Sequence, residues 1–240
     1  MSRPRWLTTA DGPEAFPALD EALTEPNGLI ALGGDLSPER LLAAYPKSIF
    51  PWYEQGQPIL WWSPDPRAVL WLNELHLSRR LARRRRRLDL RFSSDTCFEL
   101  VVESCAAPRR YADSTWITQE MNEAYCELHR LGWAHSVEAW RDEELVGGIY
   151  GIAIGRVFFG ESMFSKISDA SKIVLGEAVE FLTSLGFALI DCQVRSSHLE
   201  SLGATTIPRA KFVELLDRYC TPPGNPGPWT EAFNAWARSR

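Results

Sequence analysis

Apolar residues recur at two spacings in the second half of the chain, and the switch between them predicts its layout. Between 134 and 160 the runs are strand-like, at 134–140, 145–154 and 156–160, separated by the polar segment 141–144 and by Gly155. That pattern predicts a three-strand meander. The period then lengthens. Ala170, Val174, Ala178, Phe181 and Leu185 fall on one helical stripe, with Gly186 as the stop, so a helix is expected over 168–185. The run 187–194 reads as one more strand, and Phe212, Leu215, Leu216 and Tyr219 mark a further helix before Pro222-Pro223-Gly224 leads into a tail.

Upstream, Phe98, Val101, Val102 and Cys105 repeat the helical spacing after Ser94 and Asp95. Met121, Ala124, Tyr125 and Leu128 repeat it again between Thr118 and Gly132. Ser37-Pro38-Glu39 opens a short helix, with Ser as cap and Pro in the first turn. Ser78 likewise precedes the helix formers around the run Arg79–Arg87. Residues 1–30 read as loop, and 45–67 as irregular chain dense in Trp and Pro. Antiparallel strands, then helix, then strand predict an α+β fold. We expect a small N-terminal domain over 1–66 and a larger domain over 67–240, with a mixed sheet flanked by helices. Acyl-CoA-dependent N-acetyltransferases share that order of elements, so the larger domain is expected to be acetyltransferase-like (GNAT-like).

Composition narrows the chemistry. Hydrophobic residues make up 45% of the 240-residue chain and charged residues 24%, ordinary for a globular protein. No apolar run reaches the length of a membrane span and no signal-peptide core opens the chain, so a cytoplasmic protein without a membrane partner is expected. The five cysteines are scattered and never spaced Cys-x-x-Cys, and the four histidines form no ligand motif. Metal-free chemistry with reduced thiols is the expectation. The absence of a Gly-x-x-x-x-Gly-Lys-[Ser/Thr] motif argues against ATP hydrolysis.

Charge is the sharper signal. The net charge is −5, yet 79–87 holds seven arginines and no acid; without those seven the chain would stand at −12. Such a polarised field suits the steering of a polyanion to one place. Arg79, Arg80, Arg83, Arg84 and Arg87 are therefore candidate phosphate contacts, and Trp52, Trp61, Trp62 and Trp116 are aromatics that could stack on an unpaired base.

Polar residues at strand ends supply the candidate chemistry. Glu161 follows the apolar run Val157-Phe158-Phe159-Gly160 and reads either as a binder of a cationic group or as one half of an ion pair with Lys166, Lys172 or an arginine. In extended chain, Asp191 and Gln193 point to one face and Cys192 to the other. They read either as a carboxylate acting through an amide on a reacting amine or as a polar cap on nearby backbone. Gly160-Glu161-Ser162-Met163-Phe164 is not a nucleophile elbow, and Cys192 with His198 is a weak thiol dyad. The loop Ser165-Lys166-Ile167-Ser168-Asp169 lacks the glycines that would cradle the pyrophosphate of CoA. An acetyltransferase using CoA and a non-catalytic nucleic-acid-binding module are the competing readings.

Ten words in order resemble the bacterial leucyl/phenylalanyl-tRNA–protein transferase family. They are Leu29–Leu36 with Gly33-Gly34-Asp35, Ile49-Phe50-Pro51-Trp52, Trp61–Arg67, Trp116-Ile117-Thr118, His135-Ser136-Val137-Glu138, Leu145-Val146-Gly147-Gly148, Gly160–Phe164, Ala170-Ser171-Lys172, Leu189–Gln193 and Ser201-Leu202-Gly203-Ala204. The resemblance implies transfer of Leu or Phe, and less readily Met, from aminoacyl-tRNA to the α-amine of proteins beginning with Arg or Lys. That transfer marks the acceptor for degradation by the N-degron route, and it needs no cofactor. By position it implies Asp191 and Gln193 as a catalytic relay and Glu161 as the acceptor-cation site. It further implies Ile149, Phe158 and Met163 around the donor side chain, Trp52 and Trp116 on the terminal adenosine, and the arginine helix on tRNA.

Overall fold

The computed structural model describes residues 3–107, 117–224 and 226–240. A four-stranded sheet comes first in sequence, built from β1 (Arg5–Leu7), β2 (Leu29–Gly33), β3 (Phe50–Pro51) and β4 (Leu60–Trp62) in the spatial order β1-β2-β4-β3. Helix α1 (Pro38–Ala44) lies between β2 and β3 in sequence, capped as expected by Ser37, whose Oγ accepts from the Arg40 N–H at 3.4 Å. Two expectations are corrected here: 1–30 contains β1 and the first two residues of β2, and the aromatic stretch 45–67 contains β3 and β4. These strands are two to five residues long, too short to display an alternation.

The second sheet has seven strands in the order β11-β5-β10-β9-β8-β7-β6. They are β5 (Arg67–Trp71), β6 (Arg91–Ser94), β7 (Ala134–Arg141), β8 (Glu144–Ile154), β9 (Val157–Ser165), β10 (Leu189–Gln193) and β11 (Thr205–Ile207). The expected meander is present as β7-β8-β9, with β9 running on to Ser165 rather than stopping at Gly160. Every neighbouring pair is antiparallel except β9 with β10. The sheet is thus mixed, and the fold is α+β as the sequence predicts.

The helices of this part are α2 (Arg79–Arg87), α3 (Phe98–Ala106), α4 (Gln119–Arg130), α5 (Ala170–Ser184), α6 (Ser197–Glu200), α7 (Arg209–Tyr219) and α8 (Thr230–Arg238). Helix α5 makes the crossover between parallel β9 and β10. Helix α8 corrects the expected tail: Phe233 is buried, and Trp229, just before the helix, stacks on His135 with ring centroids 3.8 Å apart.

Apolar packing covers both faces of the large sheet. On one, Val69, Phe159 and Leu189 meet α3, α4, α7 and the small sheet through Val101, Met121, Phe212 and Trp61. On the other, Leu70, Phe158 and Ile190 meet α2, α5 and α8 through Leu81, Val174 and Phe233. A polar side chain on a central strand of such a sheet is costly to desolvate without a partner. Among the described residues, no helix is long and apolar enough to cross a membrane.

Candidate active site

The site lies where the parallel pair comes apart. Strands β9 and β10 pair as Leu189↔Val157, Ile190↔Phe158 and Asp191↔Phe159, and the pairing ends there. Each strand then carries a bulge. On β9, Tyr150↔Ser162 is followed by Gly151↔Gly160, which leaves Glu161 without an opposite residue on β8. On β10, Asp191↔Val69 is followed by Gln193↔Ala68, which leaves Cys192 extra. Bulges bend a strand and re-aim its side chains. Gln193, just past this bulge, also adopts a left-handed backbone at φ 55°. Gly151 suits the bend opposite Glu161, since a Cβ there would stand 2.2 Å from the Phe159 carbonyl oxygen.

A cavity of about 800 Å³ opens at this divergence, within the size range of small-molecule sites. Its walls come from β8 and β9 (Ile149, Glu161, Met163), the end of β10 (Cys192, Gln193), α5 (Ser171, Leu175) and the small sheet with the residue after it (Phe50, Trp52). Ile149 and Met163 are register partners, so they present one apolar patch. Trp52 is 41% exposed, its ring 5.9 Å from that of Trp62. Of the sequence candidates, Glu161, Gln193, Trp52, Ile149 and Met163 are thus brought together. Phe158 is not: it is buried on the α8 side, its ring 6.0 Å from Trp229. Trp116 lies outside the described residues.

Glu161 is the polar centre. Its Oε1 accepts from the Tyr45 hydroxyl at 2.8 Å and from Gln193 Nε2 at 3.1 Å, and its Oε2 accepts from the Tyr125 hydroxyl at 2.7 Å. Among the described residues no lysine or arginine pairs with it; Lys166 lies 3.8 Å from Glu144 instead. Burial pushes the Glu161 carboxyl up to about 7, and the Asp191 charge adds to the rise, against the Tyr125 and Tyr45 hydrogen bonds and the Arg67 charge. Burial, and then the Glu161 charge, holds both tyrosine hydroxyls well above their ordinary range, so they remain donors. Sequence reading missed both tyrosines. A signal existed at Tyr125, a hydroxyl-bearing side chain in the otherwise apolar stripe of α4.

Asp191 is fully buried and does not border the cavity. Arg67 grips it with both arms, Nε to Oδ1 at 2.8 Å and Nη2 to Oδ2 at 2.7 Å, while Oδ1 also accepts the Gln193 backbone N–H at 3.0 Å. The Arg67 guanidinium lies between the Phe50 and Phe212 rings and donates to the Ser48 carbonyl at 3.0 Å. A cation at the first position of an apolar strand was the missed clue. His198 on α6 borders the cavity too, and burial followed by the Lys172 charge lowers its pKa. Burial, with the Asp191 charge adding to it, raises the Cys192 thiol, which disfavours the thiolate.

The arginine run is helical as expected, with Ser78 capping α2. Arg79, Arg80, Arg83, Arg86 and Arg87 are exposed. Arg84 is half-buried and reaches Asp169 at 3.5 Å, just before α5. Arg85 is tied to Glu177 and Glu180 of α5, the same carboxylates that Arg240 holds. Since α5 also supplies Ser171 and Leu175 to the cavity wall, the arginine helix is anchored to an element of the site.

Comparison with known proteins identifies the family. The family model described as leucyl/phenylalanyl-tRNA protein transferase matches 69–217, and that of its N-terminal domain matches 34–65. The leucyl/phenylalanyl-tRNA–protein transferase of Stutzerimonas stutzeri is 58% identical over 88% of this chain and 92% of its own. That of Pseudomonas entomophila is 58% identical over 91% of this chain and 96% of its own. Among solved structures the likeness is slighter: L-PGS from Bacillus licheniformis aligns at a TM-score of 0.39 with 11% identity, over 68% of this chain and 55% of its own, too loose a match to bear on the fold. With Glu161, Gln193 and Trp52 all within the matched span or its edges, and relatives this similar along nearly their whole length, the chain belongs to the leucyl/phenylalanyl-tRNA protein transferase family.

Proposed function

We propose that this protein moves Leu or Phe, and less efficiently Met, from aminoacyl-tRNA to the α-amine of proteins that begin with Arg or Lys, marking them for degradation by the N-degron route in the cytoplasm. The observation that carries this reading is Glu161: a half-buried carboxylate with no lysine or arginine partner among the described residues, facing a cavity that also presents Ile149 and Met163. A carboxylate that no described lysine or arginine pairs with suits a cationic visitor, and an N-terminal ammonium is one. The Ile149 and Met163 patch suits the donor side chain, because apolar pockets discriminate weakly among Leu, Phe and Met. Trp52, exposed at the rim, suits stacking on the terminal adenine.

The exposed arginines of α2 suit the phosphates of the tRNA, with Arg79, Arg80, Arg83 and Arg87 toward solvent and Arg84 beside α5. In this reading 1–66 forms a small domain that helps wall the site, and 67–240 an acetyltransferase-like domain with its reaction at the splayed parallel pair. An aminoacyl ester is already activated, so amide formation from it calls for neither ATP nor a cofactor.

The test is transfer of radiolabelled Phe from tRNA to a peptide beginning with Arg, beside an Ala-initiated control, without ATP or CoA. Label on the Arg peptide alone is expected. No label on either peptide, with tRNA still bound, would reduce the protein to a tRNA-binding module.

A further inference from the structure

Resting on that reading, we propose that Glu161, and not Asp191, takes the proton that leaves the acceptor amine and returns it to the departing ribose oxygen, while Asp191 acts as a positioning residue for Gln193. The geometry of the two carboxylates decides between them. Asp191 has no exposed surface and stands outside the cavity, and both of its oxygens are engaged by Arg67. Protonating it would break a buried ion pair and strand the Arg67 charge. Glu161 borders the cavity. Its Oε1 already accepts two hydrogen bonds, from Tyr45 and Gln193, but its Oε2 accepts one, from Tyr125. A carboxylate oxygen has room for a second donor, so Oε2 is the atom open to an amine N–H.

The step balances. The lone pair of the neutral α-amine attacks the ester carbonyl carbon, the C–N bond forms, and the carbonyl electrons move to oxygen. An N–H proton passes to Glu161 Oε2. As the tetrahedral intermediate collapses, the carbon–oxygen bond to the ribose breaks, and Glu161 returns the proton to that oxygen. One group serves as base and then as acid, which works best when its pKa lies near the operating pH. Burial pushes the Glu161 carboxyl up to about 7, close to an α-amine at roughly 7.7–8.0. The charged and titratable groups around it are Tyr45, Tyr125 on α4, Asp191 on β10, Arg67 on β5, and Tyr150 on β8, which acts on both other tyrosines.

Asp191 enters indirectly. Its Oδ1 accepts the Gln193 backbone N–H at the bulge, where Gln193 stands at φ 55° and its amide reaches Glu161. Asp191 thereby holds a backbone conformation that a non-glycine residue rarely adopts.

The experiment is single-turnover transfer from Phe-tRNA to an Arg-initiated peptide between roughly pH 5.5 and 9, using the whole protein and its Glu161→Gln, Tyr125→Phe and Asp191→Asn variants. Wild type is expected to show two ionisations, near 7 and near 8, the second belonging to the acceptor amine. Glu161→Gln should lose the limb near 7 and fall about 10²- to 10⁴-fold in rate at saturating peptide. Tyr125→Phe, which removes a hydrogen bond that lowers the Glu161 pKa, should keep that limb and move it to higher pH. Asp191→Asn should be slower with both limbs retained. A limb near 7 that survives Glu161→Gln, or a loss confined to the KM for peptide, would overturn the assignment. Absence of transfer by wild type at every pH would overturn the reading beneath it as well.

Discussion

The Asp191 carboxylate and the Arg67 guanidinium meet side-on across β10 and β5, through Nε and Nη2 at 2.8 and 2.7 Å, with neither side chain exposed. The pair joins the small sheet to the large one, since Arg67 also donates to Ser48 and lies against Phe50. A buried ion pair contributes little beyond apolar residues of equal shape, but removing one partner strands the other. Asp191→Ala should therefore cost about 3–5 kcal/mol in urea unfolding, and Arg67→Met with Asp191→Leu should recover most of it. A loss below about 1 kcal/mol for the single change would show that the pair does not hold the fold together.

Glu161 carries a signature in stability as well as in rate. Burial holds its carboxyl at about 7 in the folded protein, above its ordinary 4.5, so the folded state binds this proton more tightly than the unfolded chain does. That stabilisation is complete on the acid side and is lost as pH rises through about 7. The Tm of wild type minus that of Glu161→Gln should accordingly fall as pH is raised from about 4.5 to about 7.5. A flat or rising difference would mean that the carboxyl is not raised.

The arginines of α2 should separate by what they touch. Arg83 and Arg87 are exposed, whereas Arg85 is spent on Glu177 and Glu180. Each phosphate contact removed should flatten the slope of log affinity against log salt by about 0.7–0.9. Arg83→Ala with Arg87→Ala should thus weaken tRNA binding at low salt and reduce its salt dependence. Arg85→Ala should act instead on thermal stability. An unchanged salt slope in the double variant would take those two arginines out of the interface.

Donor choice should follow the apolar patch. Ile149 and Met163 sit opposite each other on β8 and β9 at the cavity wall. Ile149→Phe should fill part of the space open to a donor ring and leave Leu better accommodated. Competition between the two charged tRNAs should then shift toward Leu by at least about tenfold, the scale on which one group's worth of apolar space discriminates. An unaltered Leu-to-Phe ratio would place the donor side chain elsewhere.

Most of the secondary structure that positions the site is legible in the chain. The meander and α5 announce themselves because long elements repeat their period often enough to be read. Strands β5, β6 and β11 escape because three to five residues carry no period, and α8 escapes because a proline-glycine segment reads as the end of structure. The carboxylates Glu161 and Asp191 are legible as misplaced polar residues. Their division of labour is not, because it depends on partners distant in sequence: Arg67 for Asp191, and Tyr45 and Tyr125 for Glu161. The bulges at Glu161 and Cys192 are equally hidden, being properties of pairing register rather than of either strand alone. Phe158 shows the same limit: it shares a face of the sheet with the cavity-lining Ile149 and Ile190 but packs against Trp229, and alternation gives the side of a strand, not how far along it the cavity reaches.

A crystal structure of the protein with a non-hydrolysable phenylalanyl-adenosine amide would locate the reacting carbonyl. The phenyl ring is expected against Ile149 and Met163, the adenine at Trp52, and the carbonyl carbon beside Glu161 and Gln193 at the divergence of β9 and β10. An analogue seated away from Glu161, with this cavity left empty at saturating concentration, would contradict the assignment of the site.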